Sequence, residues 1–281
     1  MTELPSNAVP PRAVLDAFRV ESETPVPLVG GQGRSVLVGG YVFKPAEAPE
    51  DEVDWAASLF EKLAPDSGFR LPRPLRTADG RTVVDGWTAS ELLTGEPGPQ
   101  GRWAQVLSAG RAFHAALRQL PRPDFLDRHT HPWAVADRVA WGEQDTDVIK
   151  DLSTPFTNLL ELWRPVRQDE AQLIHGDLTG NVLFAADASP AVIDFSPYWR
   201  PPVFAEAIVV ADGLLWFDLP SELVAGGSDH PDWQQMLIRA LLFRLVAHSE
   251  STRPSQQAQT GEPERYARAT GIVERQFAMK S

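Results

Sequence analysis

The chain has 281 residues, a formal net charge of −12 and a sequence pI of about 5.0. This acidity disfavours broad binding to nucleic acid or to anionic membranes, and the lack of cysteine excludes disulfides, thiolate catalysis and cysteine-ligated metal sites. No apolar run approaches the roughly 18 residues of a membrane span, and residues 1–12 show no signal peptide. We therefore expect a cytoplasmic protein.

The first third of the chain has the pattern of a small β-sheet. A strand-like run at residues 24–29 leads into a glycine-rich turn. Two further β-rich runs within residues 34–44 are separated by Gly39 and Gly40. Such a link predicts a hairpin, because glycine tolerates the positive φ of a primed turn. Lys44 is then expected near the end of the third strand.

One helix is predicted within this β-rich half, at residues 51–63. Its apolar residues repeat at the i, i+3, i+4, i+7 spacing. Glu52 falls on that apolar stripe, and Glu61 falls on the opposite face. An Asp-Gly turn at residues 79–80 separates two more strand-like runs. The Gly/Pro cluster at residues 94–98 is the candidate hinge between two lobes.

The rest of the chain changes in character from strand to helix. Helical patterns cover residues 102–120, 152–166, 203–217, 233–248 and 265–278. Short apolar runs indicate buried strands at residues 173–174, 182–184 and 191–193. The polar, proline-containing stretch at residues 249–264 predicts an irregular and mobile segment.

Three polar side chains flank these short strands. Asp177 and Asn181 lie in the loop between the first two, and Asp194 follows the third. A hairpin would bring all three side chains to one end of the same sheet. Phosphoryl transfer needs such a set: one carboxylate orients and deprotonates the acceptor, while an amide oxygen and a second carboxylate hold Mg²⁺ on the nucleotide. His175 is expected to fix the loop by hydrogen bonds rather than to move protons.

A resemblance to a known family rests on residues 173–184, which read LIHGDLTGNVLF, and on the Ile-Asp pair at residues 193–194. Both are similar to the catalytic loop and the following Ile-Asp pair of the aminoglycoside phosphotransferase family, which has the protein-kinase-like fold. The likeness extends over roughly residues 24–248, in the right order. More specifically, residues 30–33 and 194–202 resemble an uncharacterised actinobacterial branch of that family.

The resemblance implies a bilobal α+β fold, with a β-rich N-lobe containing one helix at residues 1–94 and a mainly helical C-lobe at residues 95–281. It implies that Asp177 is the catalytic residue and that Asn181 and Asp194 bind Mg²⁺. The residues that it implies for binding the nucleotide are Lys44, Glu52, Gly30, Gly31, Gln32, Gly33 and Ser35.

Some positions stay open at this level. Asp54 or Glu61 could replace Glu52 as the partner of the lysine after a small rotation of the helix. The catalytic loop has three residues between its aspartate and its asparagine, where the family usually has four. Glu206 stands where the family usually has an aspartate that braces the catalytic loop, and we expect it to have that role.

We therefore expect a phosphotransferase that uses ATP or GTP and Mg²⁺ and moves the γ-phosphoryl group to a hydroxyl of an unidentified small molecule. Its partners are a nucleotide and that acceptor, with no nucleic acid and no membrane. One alternative is a nucleotide-binding protein without turnover, which the shortened loop favours. The other is a Ser/Thr peptide kinase, although no long activation segment follows Asp194.

Overall fold

The computed structural model divides the chain into two compact units. It describes residues 9–21, 23–28, 34–63, 68–217, 219–220, 222–226, 229–255 and 257–278. The first unit comprises Met1–Glu96 and Leu183–Ile193, and the second comprises Pro97–Val182 and Asp194–Ser281. The lobe boundaries drawn from the sequence stay a prediction.

The described residues form nine strands and nine α-helices. The strands are β1 (Val26–Pro27), β2 (Val36–Val38), β3 (Tyr41–Pro45), β4 (Trp87–Glu91), β5 (Glu96–Pro97), β6 (Gln172–His175), β7 (Val182–Ala185), β8 (Ala188–Val192) and β9 (Pro197–Arg200). The helices are α1 (Arg12–Ala17), α2 (Glu50–Lys62), α3 (Trp103–Leu117), α4 (Pro132–Ala140), α5 (Ser153–Leu162), α6 (Pro202–Trp216), α7 (Glu222–Gly226), α8 (Trp233–Thr252) and α9 (Glu262–Ala278). A sheet in the N-terminal region and helices in the C-terminal region confirm the predicted α+β class.

Strands β1 to β4 form one antiparallel sheet in chain order. Val36 and Val38 of β2 are both buried, because side chains two residues apart on a strand share a face. Phe18, which follows α1, packs its ring edge-on against Phe43 of β3 at a centroid distance of 6.0 Å. These four side chains belong to one hydrophobic core, which fixes β3, the strand that carries Lys44.

The predicted hairpin between β2 and β3 is confirmed. Gly39 and Gly40 have φ values of +55° and +81°, as a two-residue primed turn requires. Lys44 pairs with Thr88, which sets the register of β3 against β4. Lys44 therefore lies near the end of the third strand, as predicted.

The helix predicted at residues 51–63 is α2, displaced by one residue toward the N-terminus. Its first turn carries Glu50, Asp51 and Glu52, where acidic side chains complement the positive end of the helix dipole. Glu52 is nevertheless buried, and Glu61 is exposed. The 3.6-residue period therefore assigned both glutamates to the correct faces.

Two predicted strands of this unit are shorter than expected. The run before the turn at residues 79–80 forms no full strand among its described residues, and Pro74 makes an isolated bridge to Ser90. Proline has no N–H for a ladder, and a second proline lies two residues earlier. The run at residues 24–29 forms only β1, and Val29 lies outside the described residues.

The second stretch of the first unit, Leu183–Ile193, is tied to the first stretch by Arg70. The Arg70 N–H donates to the Pro190 carbonyl at 2.8 Å, and the Val192 N–H donates to the Arg70 carbonyl at 2.9 Å. The Arg70 side chain donates from Nε to the Ser189 carbonyl at 2.7 Å. These bonds join residues that lie far apart in sequence into one compact unit.

Helix α8 is the centre of the second unit. It packs against α4, α5, α6 and α9, and every residue from 236 to 247 is buried, as in a helix enclosed by others. Two of these residues, Arg239 and Arg244, are arginines, and a buried charge needs compensating partners. Across the described part of the chain, no helix is both long and apolar enough to span a membrane.

Two helices of the second unit differ from the prediction. Helix α8 continues to Thr252 because Ser249 is buried and its hydroxyl accepts a hydrogen bond from the Ile149 N–H at 2.9 Å. The polar stretch is therefore partly helical. Helix α4 was not predicted, since it begins after His131, whose Nδ1 accepts from the Ala134 N–H at 3.2 Å. The usual Ser, Thr, Asp or Asn start signal is missing there.

We predict unequal effects of alanine at the two glycines of the hairpin. Gly40→Ala should lower the free energy of unfolding by about 1–2 kcal/mol, because a Cβ is disfavoured at its positive φ but meets no neighbour within 4 Å. Gly39→Ala should cost more, because its Cβ would also lie 2.8 Å from Cγ1 of Val20. Urea unfolding would measure both variants, and equal losses would contradict the close contact with Val20.

Candidate active site

The residues predicted to bind a nucleotide lie in the first unit. Lys44 is on β3, Glu52 is on α2, and Ser35 directly precedes β2. Four further residues of that set lie outside the described part of the chain: Gly30, Gly31, Gln32 and Gly33. Of the predicted nucleotide-binding residues, the structure therefore describes Lys44, Glu52 and Ser35.

The surroundings of α2 distinguish the three candidate partners of Lys44. Arg76 donates from Nη1 to Asp54 Oδ1 and from Nε to Glu61 Oε1, both at 2.7 Å. The hydrogen bonds to Glu61 and Asp54 raise the pKa of Arg76. Glu52 has 7 % of its surface exposed and belongs to the buried side of the helix. These contacts favour Glu52 over the other two carboxylates.

The strand pairing around the catalytic loop corrects the sequence prediction. The predicted hairpin of β6 with β7 is wrong, because β6 pairs antiparallel with β9 and β7 belongs to another sheet. His175 lies opposite Pro197 in this ribbon, so Asp177 and Asp194 come at the same end of it. Strand β9 begins at Pro197 and is followed by two more prolines, Pro201 and Pro202. Its sequence therefore gives only a weak strand signal.

The catalytic loop turns tightly enough to bring Asn181 back to Asp177. Gly180 has a φ of +82°, which glycine adopts without strain, and the Asn181 N–H donates to the Leu178 carbonyl at 3.0 Å. The Asn181 Nδ2 donates to the Asp177 carbonyl at 2.7 Å and to its Oδ2 at 3.2 Å. The three-residue spacing therefore still allows the two side chains to meet.

His175 binds the backbone of the loop after β6 and that of the segment before β9. Its Nδ1 accepts from the Asp177 N–H at 3.1 Å and from the Ser196 N–H at 3.5 Å. The ring is fully buried and packs edge-on against Phe113 and Phe195. Because Nδ1 accepts hydrogen bonds from two backbone amides, His175 has the structural role that the sequence predicted.

Gly176 leaves no room for a side chain. A Cβ at this position would lie 2.4 Å from Cδ2 and 2.5 Å from Cε2 of the Tyr198 ring. Tyr198 in turn packs edge-on against Phe243 of α8, with ring centroids 5.6 Å apart. Burial raises the pKa of the Tyr198 hydroxyl above its ordinary value. The glycine of the His-Gly-Asp motif thus lets an aromatic ring pack directly on the loop.

Asp177 is also bound by Arg244, a residue that sequence reasoning missed. Arg244 donates from Nη2 to Asp177 Oδ1 at 2.7 Å, and from Nε and Nη2 to the two oxygens of Asp212 at 2.6 Å. Burial alone would lower the pKa of Arg244, but Asp212 and Asp177 outweigh it and raise that pKa, so the guanidinium stays charged. The available sequence signal was an arginine within an apolar helix.

Helix α6 carries two buried carboxylates, Glu206 and Asp212. Glu206, the expected brace of the loop, accepts a hydrogen bond from Arg111 Nη2 at 2.5 Å. Asp212 is connected to Asp177 through Arg244. The bracing role of Glu206 stays a prediction.

Asn181 and Asp194 are the residues that could hold Mg²⁺. Asp194 is exposed and has a φ of +50°, which is uncommon for a residue other than glycine. Since the Asn181 nitrogen donates to Asp177, its Oδ1 is the atom suited to a metal. The described residues contain no group of three or more His, Asp or Glu suited to a metal. Mg²⁺ usually takes one or two protein oxygen ligands with waters and substrate phosphates, so an amide oxygen and a carboxylate are donors of the kind that a nucleotide-bound ion takes.

His114 of α3 supports the loop from the helical core. It is buried, its Nε2 accepts from the His175 N–H at 3.0 Å, and its Nδ1 has no partner among the described residues. Burial, and to a smaller extent His175, lower the pKa of His114 to about 3. Protonation of Nε2 would remove the hydrogen bond and place a charge in a dry site.

We predict that His114 makes the protein less stable as the pH falls below about 6.5. The unfolded state takes up the proton near pH 6.5, and the folded state does so only at about pH 3. The free energy of unfolding should therefore fall by up to about 1.4 kcal/mol per pH unit in that window. His114→Gln keeps an acceptor and cannot titrate, so its urea unfolding should depend less on pH. Parallel pH curves for the two proteins would contradict this assignment.

Comparisons of sequence and of structure give different results. No protein-family model matches the chain, and no curated protein matches it. An aminoglycoside phosphotransferase from Alicyclobacillus acidocaldarius matches with a TM-score of 0.63 at 16% identity, over 99% of this chain and 96% of that chain. A spectinomycin phosphotransferase with ADP and spectinomycin gives 0.56 at 16% identity, over 95% and 96%. A thermostable aminoglycoside phosphotransferase mutant with AMP-PNP and hygromycin B gives 0.56 at 16% identity, over 94% and 97%. The chain therefore has the fold of the aminoglycoside phosphotransferases, as the resemblance of its catalytic loop predicted.

Proposed function

We propose that this protein is an ATP-dependent phosphotransferase that uses Mg²⁺ and transfers the γ-phosphoryl group to a hydroxyl of a small molecule. The observation that carries the proposal is the catalytic loop, whose Asp177 carboxylate is held by Asn181 of the loop and by Arg244 of α8. This loop occurs in a fold shared with phosphotransferases solved with ADP and AMP-PNP. A carboxylate on a rigid loop can align an acceptor hydroxyl and take its proton.

In the proposed reaction the acceptor oxygen attacks the γ-phosphorus and forms a new P–O bond. The bond between the γ-phosphorus and the β,γ-bridging oxygen breaks, and its electron pair leaves with ADP. The acceptor proton passes to the Asp177 carboxylate and then to solvent. Asn181 Oδ1 and the Asp194 carboxylate would hold Mg²⁺, which supplies positive charge to the phosphates when it is bound.

The nucleotide phosphates would be bound from the first unit. Lys44 would contact the α- and β-phosphates, and Glu52 would orient the lysine. Asp54 and Glu61 are less suited, because Arg76 binds both of them. Backbone amides of the glycine-rich turn would approach the phosphates. The proposed nucleotide-binding residues are Lys44, Glu52, Gly30, Gly31, Gln32, Gly33 and Ser35.

ATP is the proposed donor because proteins with this fold are solved with ADP and with AMP-PNP, and GTP is compared with it in the same assay. A cytoplasmic location, as predicted from the sequence, would supply both ATP and Mg²⁺. The acceptor does not follow from the fold, since one fold hosts many substrates. Spectinomycin and hygromycin B are therefore the first members of an acceptor panel and not assigned substrates.

Asp177→Ala should fold normally and reduce phosphoryl transfer on the order of 10²- to 10⁴-fold, the usual contribution of a general base. Folding should survive because Arg244 keeps Asp212 as a partner and the Asp177 side chain is 42% exposed. ADP release from MgATP would be measured with the acceptor panel and with water as acceptor. Asp169→Ala, which removes an exposed carboxylate, is the matched control. Undiminished transfer by Asp177→Ala would refute its catalytic role.

The same assay separates the two alternative functions. Binding of MgATP by the wild type without ADP release to any acceptor or to water would support a nucleotide-binding protein without turnover. Transfer to Ser/Thr peptides but to no small molecule would support a peptide kinase. Either result would replace the proposed function.

Lys44→Ala should weaken binding of Mg-AMP-PNP by about 10-fold or more, because a hydrogen bond to a charged group contributes about 1.5–3 kcal/mol. Lys62→Ala removes an exposed lysine of the same unit and should leave binding unchanged. Glu52→Gln should weaken binding in the same direction, whereas Glu61→Gln should not, since Arg76 already binds Glu61. Isothermal titration calorimetry would measure all four variants. Equal effects of the two glutamine variants would argue against Glu52 as the partner.

A further inference from the structure

Arg244 connects the half-buried Asp177 of the catalytic loop to Asp212 in the buried core. We call these three residues, Arg244, Asp177 and Asp212, the loop clamp. The side chains of Asp212 and Arg244 are 2% and 5% exposed, and that of Asp177 is 42% exposed. Arg244 Nε and Nη2 each donate to a different oxygen of Asp212, and this bidentate pair fixes the plane of the guanidinium. The second hydrogen of Nη2 is then available for Asp177 Oδ1, at 2.7 Å.

The Asp177 carboxylate is therefore held at both oxygens. Oδ1 accepts from Arg244, and Oδ2 accepts from Asn181 Nδ2 at 3.2 Å. Rotation about the terminal torsion of an aspartate is otherwise broad, and a displacement of about 1 Å can cost on the order of 100-fold in rate. We propose that Arg244 is a positioning residue that orients the Asp177 carboxylate for phosphoryl transfer, an inference that rests on the proposed function.

The geometry of the loop clamp requires arginine in particular. One planar group must make two parallel hydrogen bonds to Asp212 and a third to Asp177. A lysine ammonium keeps the charge but is a single point without this fork. Arg244→Lys should therefore preserve the charge balance of the buried site and lose the fixed orientation of the carboxylate.

A second buried arginine offers a matched control, which we call the reference clamp: Arg200, Asp137 and Glu143. Arg200 donates from Nη2 to Asp137 at 2.7 Å and from Nη1 to Glu143 at 2.6 Å. Its guanidinium lies over the Trp141 ring, as that of Arg244 lies over Trp133. Neither carboxylate of the reference clamp belongs to the catalytic loop. Arg200→Lys thus makes the same chemical change in a similarly buried site.

The experiment measures steady-state hydrolysis of MgATP with water as acceptor, binding of Mg-AMP-PNP, and urea unfolding for the wild type, Arg244→Lys and Arg200→Lys. We expect Arg244→Lys to lower kcat on the order of 10- to 100-fold and to change the Kd for Mg-AMP-PNP by less than about threefold. Arg200→Lys should lower the unfolding midpoint to a similar extent and keep kcat within about threefold of the wild type.

Each outcome decides the inference. Equal kcat losses in the two variants would show that Arg244 acts only through stability and would overturn its positioning role. A loss confined to nucleotide affinity would overturn it as well. If wild-type protein binds Mg-AMP-PNP but hydrolyses no ATP and phosphorylates no acceptor, the proposed function fails first, and the positioning role fails with it.

A second pair of variants applies if Arg244→Lys does not fold. Asp212→Asn keeps Arg244 and weakens its anchor, so kcat should fall in the same direction by a smaller factor. Asp137→Asn weakens the reference clamp in the same way and should leave kcat near the wild-type value. A normal kcat for folded Asp212→Asn would overturn the inference.

Discussion

A guanidinium buried within an apolar helix must keep its counter-charges, and this requirement links the core of the second unit to the loop that carries Asp177. Arg244 lies in a stretch of α8 in which every neighbour is buried. Loss of one partner from a buried ion pair commonly costs about 3–5 kcal/mol. The packing of α6 and α8, which carry Asp212 and Arg244, therefore also determines where Asp177 lies. In this protein the buried pair of Arg244 and Asp212 therefore stabilises the helical core and also sets the position of Asp177 in the proposed site.

Around this ionic contact, the loop is fixed by three different kinds of constraint. His175 supplies hydrogen bonds to backbone amides. Gly176 permits an aromatic ring to approach more closely than any side chain would allow. Gly180 supplies a left-handed turn, which returns Asn181 to Asp177 despite the short spacing. Each of these three residues therefore fixes a different part of the loop.

Sequence patterns correctly predicted the structural features that depend on residues close together in the chain. The Gly39-Gly40 hairpin, the position of Lys44 and the buried side of α2 all follow from spacing and from glycine geometry. Features that depend on distant residues could not be predicted in this way. The pairing of β6 with β9 involves a short strand that begins at a proline, and the contact of Arg244 with Asp177 spans 67 positions. The candidate site residues came from the motif and its resemblance, whereas the residue that holds the aspartate came from the packing.

The discontinuity of the first unit has a consequence for how such a protein can diversify. Arg70, in its first stretch, hydrogen-bonds to Ser189 and Pro190 in its second. A single recombination after Glu96 would import a new sheet and a new residue at position 70 while retaining the old β8 strand, so the contacts of β8 with Arg70 would be lost or replaced. The two stretches must therefore be inherited together, and substitutions near Arg70 are expected to covary with those at residues 183–193. Modular exchange of this unit between genes needs two crossovers rather than one.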